Sequence, residues 1–117
     1  MRELTSQDFI DAGYARWDPP KYENCITDIF QKCIKDENNN KKYFITVERW
    51  DYSSIANGRH IPIRFEASVQ LTHKTTGETV NIDCLSGWSI EDMEKYYEDQ
   101  WNTGWYEYYE VLYEEIY

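Results

Sequence analysis

The sequence predicts an α+β fold in a single domain, residues 1–117, in which a four-stranded antiparallel meander carries a short N-terminal helix and C-terminal helices on one face. Three observations predict it. Ile63, Phe65, Ala67, Val69 and Leu71 alternate with Arg64, Glu66, Ser68 and Gln70, which gives a strand one buried and one wet face. Stretches of strand character are separated by turn-forming Asn and Gly clusters, as antiparallel neighbours require. Ile90, Met93, Tyr97 and Trp101 then recur at intervals of three or four, a helical stripe and the only sizeable cover for the sheet's apolar face.

In chain order, Thr5-Ser6-Gln7-Asp8 opens a helix, with Thr5 as cap and Asp8 at the third helical position completing a capping-box pair. Gly13 ends it. Such a helix has two turns, with Phe9 and Ile10 inward, and must dock on something larger to persist in water. Trp17-Asp18-Pro19-Pro20 reads as a rigid loop, because consecutive prolines exclude helix and sheet interior, and Trp17 reads as its anchor.

Residues 27–36 are ambiguous by periodicity alone. Ile26, Ile29, Phe30, Cys33 and Ile34 fit one face of a helix, whereas Phe30, Lys32 and Ile34 alternate as in a strand. The turn cluster Asp36-Glu37-Asn38-Asn39-Asn40, followed by the strand run Tyr43-Phe44-Ile45-Thr46-Val47, favours a hairpin. A calcium loop through Asp36, Asn38 and Asn40 is excluded: Lys41 stands where the loop needs glycine and Val47 where it needs glutamate. Beyond the loop 53–60, with Asn57-Gly58, residues 61–84 form a second hairpin. Thr75-Thr76-Gly77 supplies its turn, and Val80, Ile82 and Cys84 alternate on the return.

Ser89, with Asp92 three residues on, caps the helix that bears the apolar stripe. Asn102-Thr103-Gly104 breaks that helix, and a second is expected with Trp105, Tyr109, Leu112 and Ile116 inward. The outward residues form two ridges of like charge: Glu91, Glu94 and Glu98, then Glu107, Glu110 and Glu114. Each like-charged neighbour pair costs a helix roughly 0.2–0.5 kcal/mol, and Glu114 and Glu115 oppose the dipole at the helix end. Local stability did not select these residues. A solvated face for solubility is one reading and a recognition surface is the other.

Charge sharpens the choice. The chain has 22 acidic and 12 basic residues, net minus 10, and residues 89–117 hold nine acids against Lys95 alone, or minus 8. Direct binding to nucleic acid or to an anionic bilayer is therefore not expected. Cys25, Cys33 and Cys84 are odd in number and lack a CxxC, so the sequence suggests a reducing cytoplasm rather than a disulfide framework. No apolar run resembles a signal peptide or membrane span. His60 and His73 stand without a metal-binding pattern, and the five glycines make no phosphate loop. No enzyme, cofactor or metal is expected.

Asp8-Phe9-Ile10-Asp11-Ala12-Gly13-Tyr14, Phe30-Gln31-Lys32, Lys42-Tyr43-Phe44-Ile45, Glu94-Lys95-Tyr96-Tyr97 and Tyr108-Tyr109-Glu110 together resemble small uncharacterised bacteriophage accessory proteins. The resemblance spans most of the chain and implies a phage or mobile-element origin without assigning any functional residue. Phage products of this size and acidity are often inhibitors of host proteins, including defence nucleases.

The expected function is therefore a non-enzymatic inhibitor acting in the host cytoplasm, its acidic surface docked on a host protein with a basic, nucleic-acid-binding groove. Expected contacts are Glu91, Glu94, Glu98, Asp99, Glu107, Glu110 and Glu114, with Tyr106 and Tyr113 as exposed aromatics. One alternative is a nucleotide or other small-molecule sponge or sensor stacking a ring against Trp17, Trp50, Trp88 or Trp105, with Arg49, Arg59 and Arg64 for charge. Another is a structural or assembly subunit, which would be a stable homo-oligomer.

Overall fold

In the computed structural model, which describes residues 3–17, 25–38, 41–53, 55–73, 79–105 and 109–111, the chain enters through the capping box read above. Thr5 Oγ1 accepts from the Asp8 amide, and the Asp8 carboxylate accepts from the Thr5 amide at 2.7 Å, which satisfies two free donors of helix α1, Ser6–Asp11. Gly13 takes φ +93° just beyond the helix, a left-handed angle that stops it at little steric cost. Phe9 alone of its apolar pair points inward. Its ring is fully buried against Tyr14, Phe30 and Phe65 at 5.5, 5.4 and 5.0 Å, while Ile10 lies 41% exposed.

The sheet that receives Phe9 is antiparallel. Strands β1 (Ala15–Trp17), β2 (Ile26–Asp36), β3 (Lys41–Trp50), β4 (Arg64–His73) and β5 (Thr79–Ile82) lie side by side in chain order. The segment 26–36 is thus a strand, as the hairpin reading required. Two strands exceed the expected four. Ala15–Trp17 continues the sheet at the β2 edge, so Trp17 belongs to a strand and not to the loop expected there. A short β6, Tyr109–Val111, pairs with Leu71–His73 of β4. Thr72 pairs with Thr79 of β5 and with Glu110 of β6, so these two strands flank that end of β4 on opposite edges.

Register sorts the side chains by face. Phe30 opposes Val47, which opposes Ala67, and Ile45 opposes Val69, so these residues share the face on which the helices lie. Phe65, Ala67 and Val69 are buried as the alternation predicted, but Ile63 precedes the strand and is 46% exposed. Simple alternation fails on β2, where Asp28, Ile29, Phe30 and Gln31 are all buried. Asp28 is held there by charge: Arg16 Nε and Nη2 donate to its Oδ1 at 2.9 and 2.7 Å, and Ser6 Oγ donates to its Oδ2 at 3.2 Å. These bonds tie β1, β2 and α1 together. In the β3–β4 loop Asn57 and Gly58 both take positive φ, 50° and 81°, as an Asn-Gly turn should.

Helix α2, Ile90–Gln100, lies over the sheet. Ser89 Oγ accepts from the Asp92 amide at 3.0 Å, and Ile90, Met93, Tyr97 and Trp101 are all buried, so cap and stripe are as read from the sequence. Past Gln100 the helix does not break at Asn102-Thr103-Gly104 but widens into a π-helical turn, Trp101–Trp105, where Thr103 Oγ1 donates back to the Gln100 carbonyl. No second helix includes residues 109–111, because the β4 ladder holds them extended. Trp101 fastens the end of α2: its ring lies 4.8 Å from that of Tyr43, and its Nε1 donates to Asp36 Oδ2 at 2.7 Å.

The core leaves one hydroxyl without a hydrogen-bond partner among the described residues. Tyr97 is fully buried, yet its oxygen finds no donor or acceptor there. An unmade buried hydrogen bond costs about 1–3 kcal/mol, so Tyr97→Phe is expected to keep stability unchanged or raise it by about 1 kcal/mol. Urea denaturation checks this.

Candidate functional site

The helices that cover the sheet also carry the acidity. On α2, Glu91, Asp92, Glu98 and Asp99 are exposed, together with Lys95 and Tyr96. They stand as two carboxylate pairs seven positions apart, which is about 10 Å along a helix that rises about 1.5 Å per residue. Lys95 Nζ donates to Asp99 Oδ1 at 3.2 Å, an i,i+4 pair of two exposed side chains. Glu91 and Asp92 sit in the first turn, where the helix dipole favours them, and the last turn, with Glu98 and Asp99, contains no basic residue.

Glu94 is different. Its Oε1 accepts from Tyr14 Oη at 3.1 Å and from Lys32 Nζ at 3.0 Å, and Lys32 also donates to the Ala12 carbonyl at 2.9 Å. The middle carboxylate of the expected ridge therefore faces the sheet and ties α2 to β2 and to the end of α1. Both partners are about a quarter exposed, so the pair is partly desolvated. Glu94→Ala is expected to cost about 2 kcal/mol by leaving Lys32 without its counter-ion, whereas Glu91→Ala should cost under about 0.5 kcal/mol. Chemical denaturation of the two variants measures the difference.

Burial raises the pKa of three phenols around this tie. Tyr14 is pushed far above the usual range by desolvation, with Glu94 adding to it, and Tyr43 by desolvation, with Glu98, Glu94 and Asp36 adding. Tyr97 is raised by burial and then by Tyr96. Below pH about 10 both folded and unfolded states hold these protons, and the stability they support is fully present. Above that pH the unfolded chain ionises first, and each phenol then removes up to about 1.4 kcal/mol per pH unit. Alkaline unfolding is expected between about pH 10 and 12, with tyrosinate absorbance at these sites appearing together with loss of the circular dichroism signal.

Between α1 and the start of α2 lies a cleft of about 410 Å³, lined by Leu4, Asp8, Asp11, Ala12, Trp88, Ser89, Ile90 and Glu91. Trp88 is half-buried and meets the exposed Tyr96 edge-to-face at 5.7 Å, so an aromatic pair borders the acidic surface. Asp8 and Asp11 thus join the site beside Glu91. Sequence reasoning missed Asp8 and Asp11 as site residues and named Trp88 only as a stacking residue for a small molecule, because only the fold brings these distant segments to one cleft.

No family model, curated protein or solved structure matches the chain. The site is therefore read from its own residues.

Of the residues expected to bind a partner, Glu91, Glu98 and Asp99 lie exposed on α2, and Glu94 is engaged within the fold. Glu110 stands in strand β6, so the expected helical ridge is not helical at its middle residue. Tyr106, Glu107, Tyr113 and Glu114 lie outside the described residues. Among the described residues no cluster of His, Cys, Asp and Glu could hold a metal ion, and no helix is long and apolar enough to cross a membrane. Two of the three arginines named for a small-molecule pocket, Arg64 and Arg49, are engaged elsewhere. Arg64 pairs with Glu66 and lies over the rings of Trp50 and Tyr52 at 5.7 and 5.5 Å, and Arg49 donates to Thr27 Oγ1 at 2.6 Å.

Proposed function

We propose that this protein is a non-enzymatic inhibitor that docks the acidic helix face of α1 and α2 on the basic groove of a nucleic-acid-binding protein. The observation that carries the reading is the exposed pairing of Glu91 with Asp92 and of Glu98 with Asp99 on one short helix. The two pairs are seven residues, about two helical turns, apart and so lie on one side of α2, where they present a row of like charge to a basic groove that normally holds phosphates. Charge of one sign also speeds encounter with a basic surface, and Tyr96 and Trp88 supply rigid contact area with little rotamer entropy to lose. The resemblance to bacteriophage accessory proteins suggests the setting: a phage product acting in the cytoplasm of its bacterial host, with a defence nuclease as the target.

The test is capture from bacterial lysate on the tagged protein, beside a variant with Glu91→Gln, Asp92→Asn, Glu98→Gln and Asp99→Asn. A nucleic-acid-binding protein retained by the first, absent from the second and eluted by moderate salt is the expected result. Retention of the same proteins by both baits would overturn the reading.

A further inference from the structure

We propose that the cleft between α1 and α2 is a receptacle for one arginine side chain of the partner, an anchor inside the broader electrostatic contact. The inference rests on the functional reading above. It names what the acidic face grips.

Carboxylates alone would be no more than solvated surface charge; the concavity and its lining are what distinguish this place. Leu4 and Ala12, which pack on the core, line the cleft with the buried Ile90, so part of its lining is apolar and suits the three methylenes of an arginine stem. Trp88 lines the same cleft with an indole, the aromatic ring that attracts a guanidinium most strongly. Two carboxylates border it from opposite helices. Asp11 Oδ1 accepts from Gln7 Nε2 at 2.8 Å, which leaves Oδ2, and Glu91 makes no hydrogen bond or ion pair among the described residues. Asp8 also lines the cleft, with its carboxylate engaged by Thr5. A guanidinium is planar and forked, so it can stack on the indole while donating to a carboxylate, whereas a lysine ammonium offers a hydrated point charge. The walls are set in advance: α1 is fixed by its capping box and by Phe9, and α2 by Glu94 and Trp101. An anchor in a preformed pocket loses little freedom of the receiving side on binding.

The test titrates ¹⁵N-labelled protein with penta-arginine and, separately, penta-lysine at fixed ionic strength, following amide and indole resonances. Penta-arginine is expected to shift the Trp88 indole and the amides of Leu4, Ala12 and Ile90, and to bind at least about fivefold more tightly than penta-lysine. Trp88→Leu and Glu91→Gln should each weaken it about fivefold, and Glu98→Gln less than about twofold. Glu91→Gln keeps the test decisive if Trp88→Leu is poorly folded. Equal affinity for the two peptides, shifts confined to the Glu98 end of α2, or no binding of either peptide would overturn the inference. If the captured partner still binds Trp88→Leu and Glu91→Gln but not the four-fold α2 variant, the cleft assignment fails and the inhibitor reading stands. If penta-arginine fills the cleft while no partner is captured, the opposite holds.

Discussion

Phe9→Ala is expected to destabilise the protein by about 4 kcal/mol, a large part of the 5–15 kcal/mol that holds a typical domain together. The size follows from what Phe9 touches. A helix of six residues is far below the length that persists in water, so α1 exists because its one buried ring enters the core between Phe30, Phe65 and Tyr14. Removing the ring loses its burial and opens a cavity among groups that cannot collapse, since Phe30 and Phe65 are fixed on sheet strands. Ile10→Ala, one residue along, should cost under about 1 kcal/mol because Ile10 is 41% exposed. The urea midpoints of the two variants measure the contrast. Equal midpoints would mean that something other than Phe9 holds α1.

The second large effect concerns binding. Neutralising Glu91, Asp92, Glu98 and Asp99 together is expected to weaken the partner complex by at least about 100-fold, with the fold intact. Stability should change by less than about 1 kcal/mol, since the effects oppose one another. Losing Glu91 and Asp92 removes favourable charge from the first turn, and losing Glu98 and Asp99 relieves unfavourable charge in the last. The Lys95–Asp99 pair is exposed and contributes little. Titration calorimetry at two salt concentrations, with thermal melting of the free proteins, separates the binding effect from any loss of fold.

What could be read from the chain was whatever depends on neighbours in sequence. The Thr5–Asp8 box and the Ser89 cap are fixed within four residues, and both formed as read. The α2 stripe and the alternation at Phe65, Ala67 and Val69 need only a period and one apolar face. What could not be read depends on distant partners. Ala15–Trp17 is too short to show a period and becomes a strand because β2 offers it an edge. Trp105, Tyr109, Leu112 and Ile116 have helical spacing, yet Tyr109–Val111 takes up a free edge of β4, and the ladder overrides the pattern. Glu94 has the same spacing as Glu91 and Glu98, and nothing local separates them. Its role is set by Lys32, 62 residues earlier, and by Tyr14, 80 residues earlier. The acidic surface was thus legible as a composition, while the division between carboxylates that face outward and the one that ties the fold together was not.

Competition between duplex DNA and this protein for a captured partner decides whether α2 imitates phosphates. With the partner immobilised and the protein bound, rising concentrations of DNA should displace it along a simple competitive curve, and the four-fold α2 variant should neither bind nor protect the partner from DNA. Simultaneous binding of DNA and protein to the partner, with no loss of either, would contradict phosphate mimicry by α2.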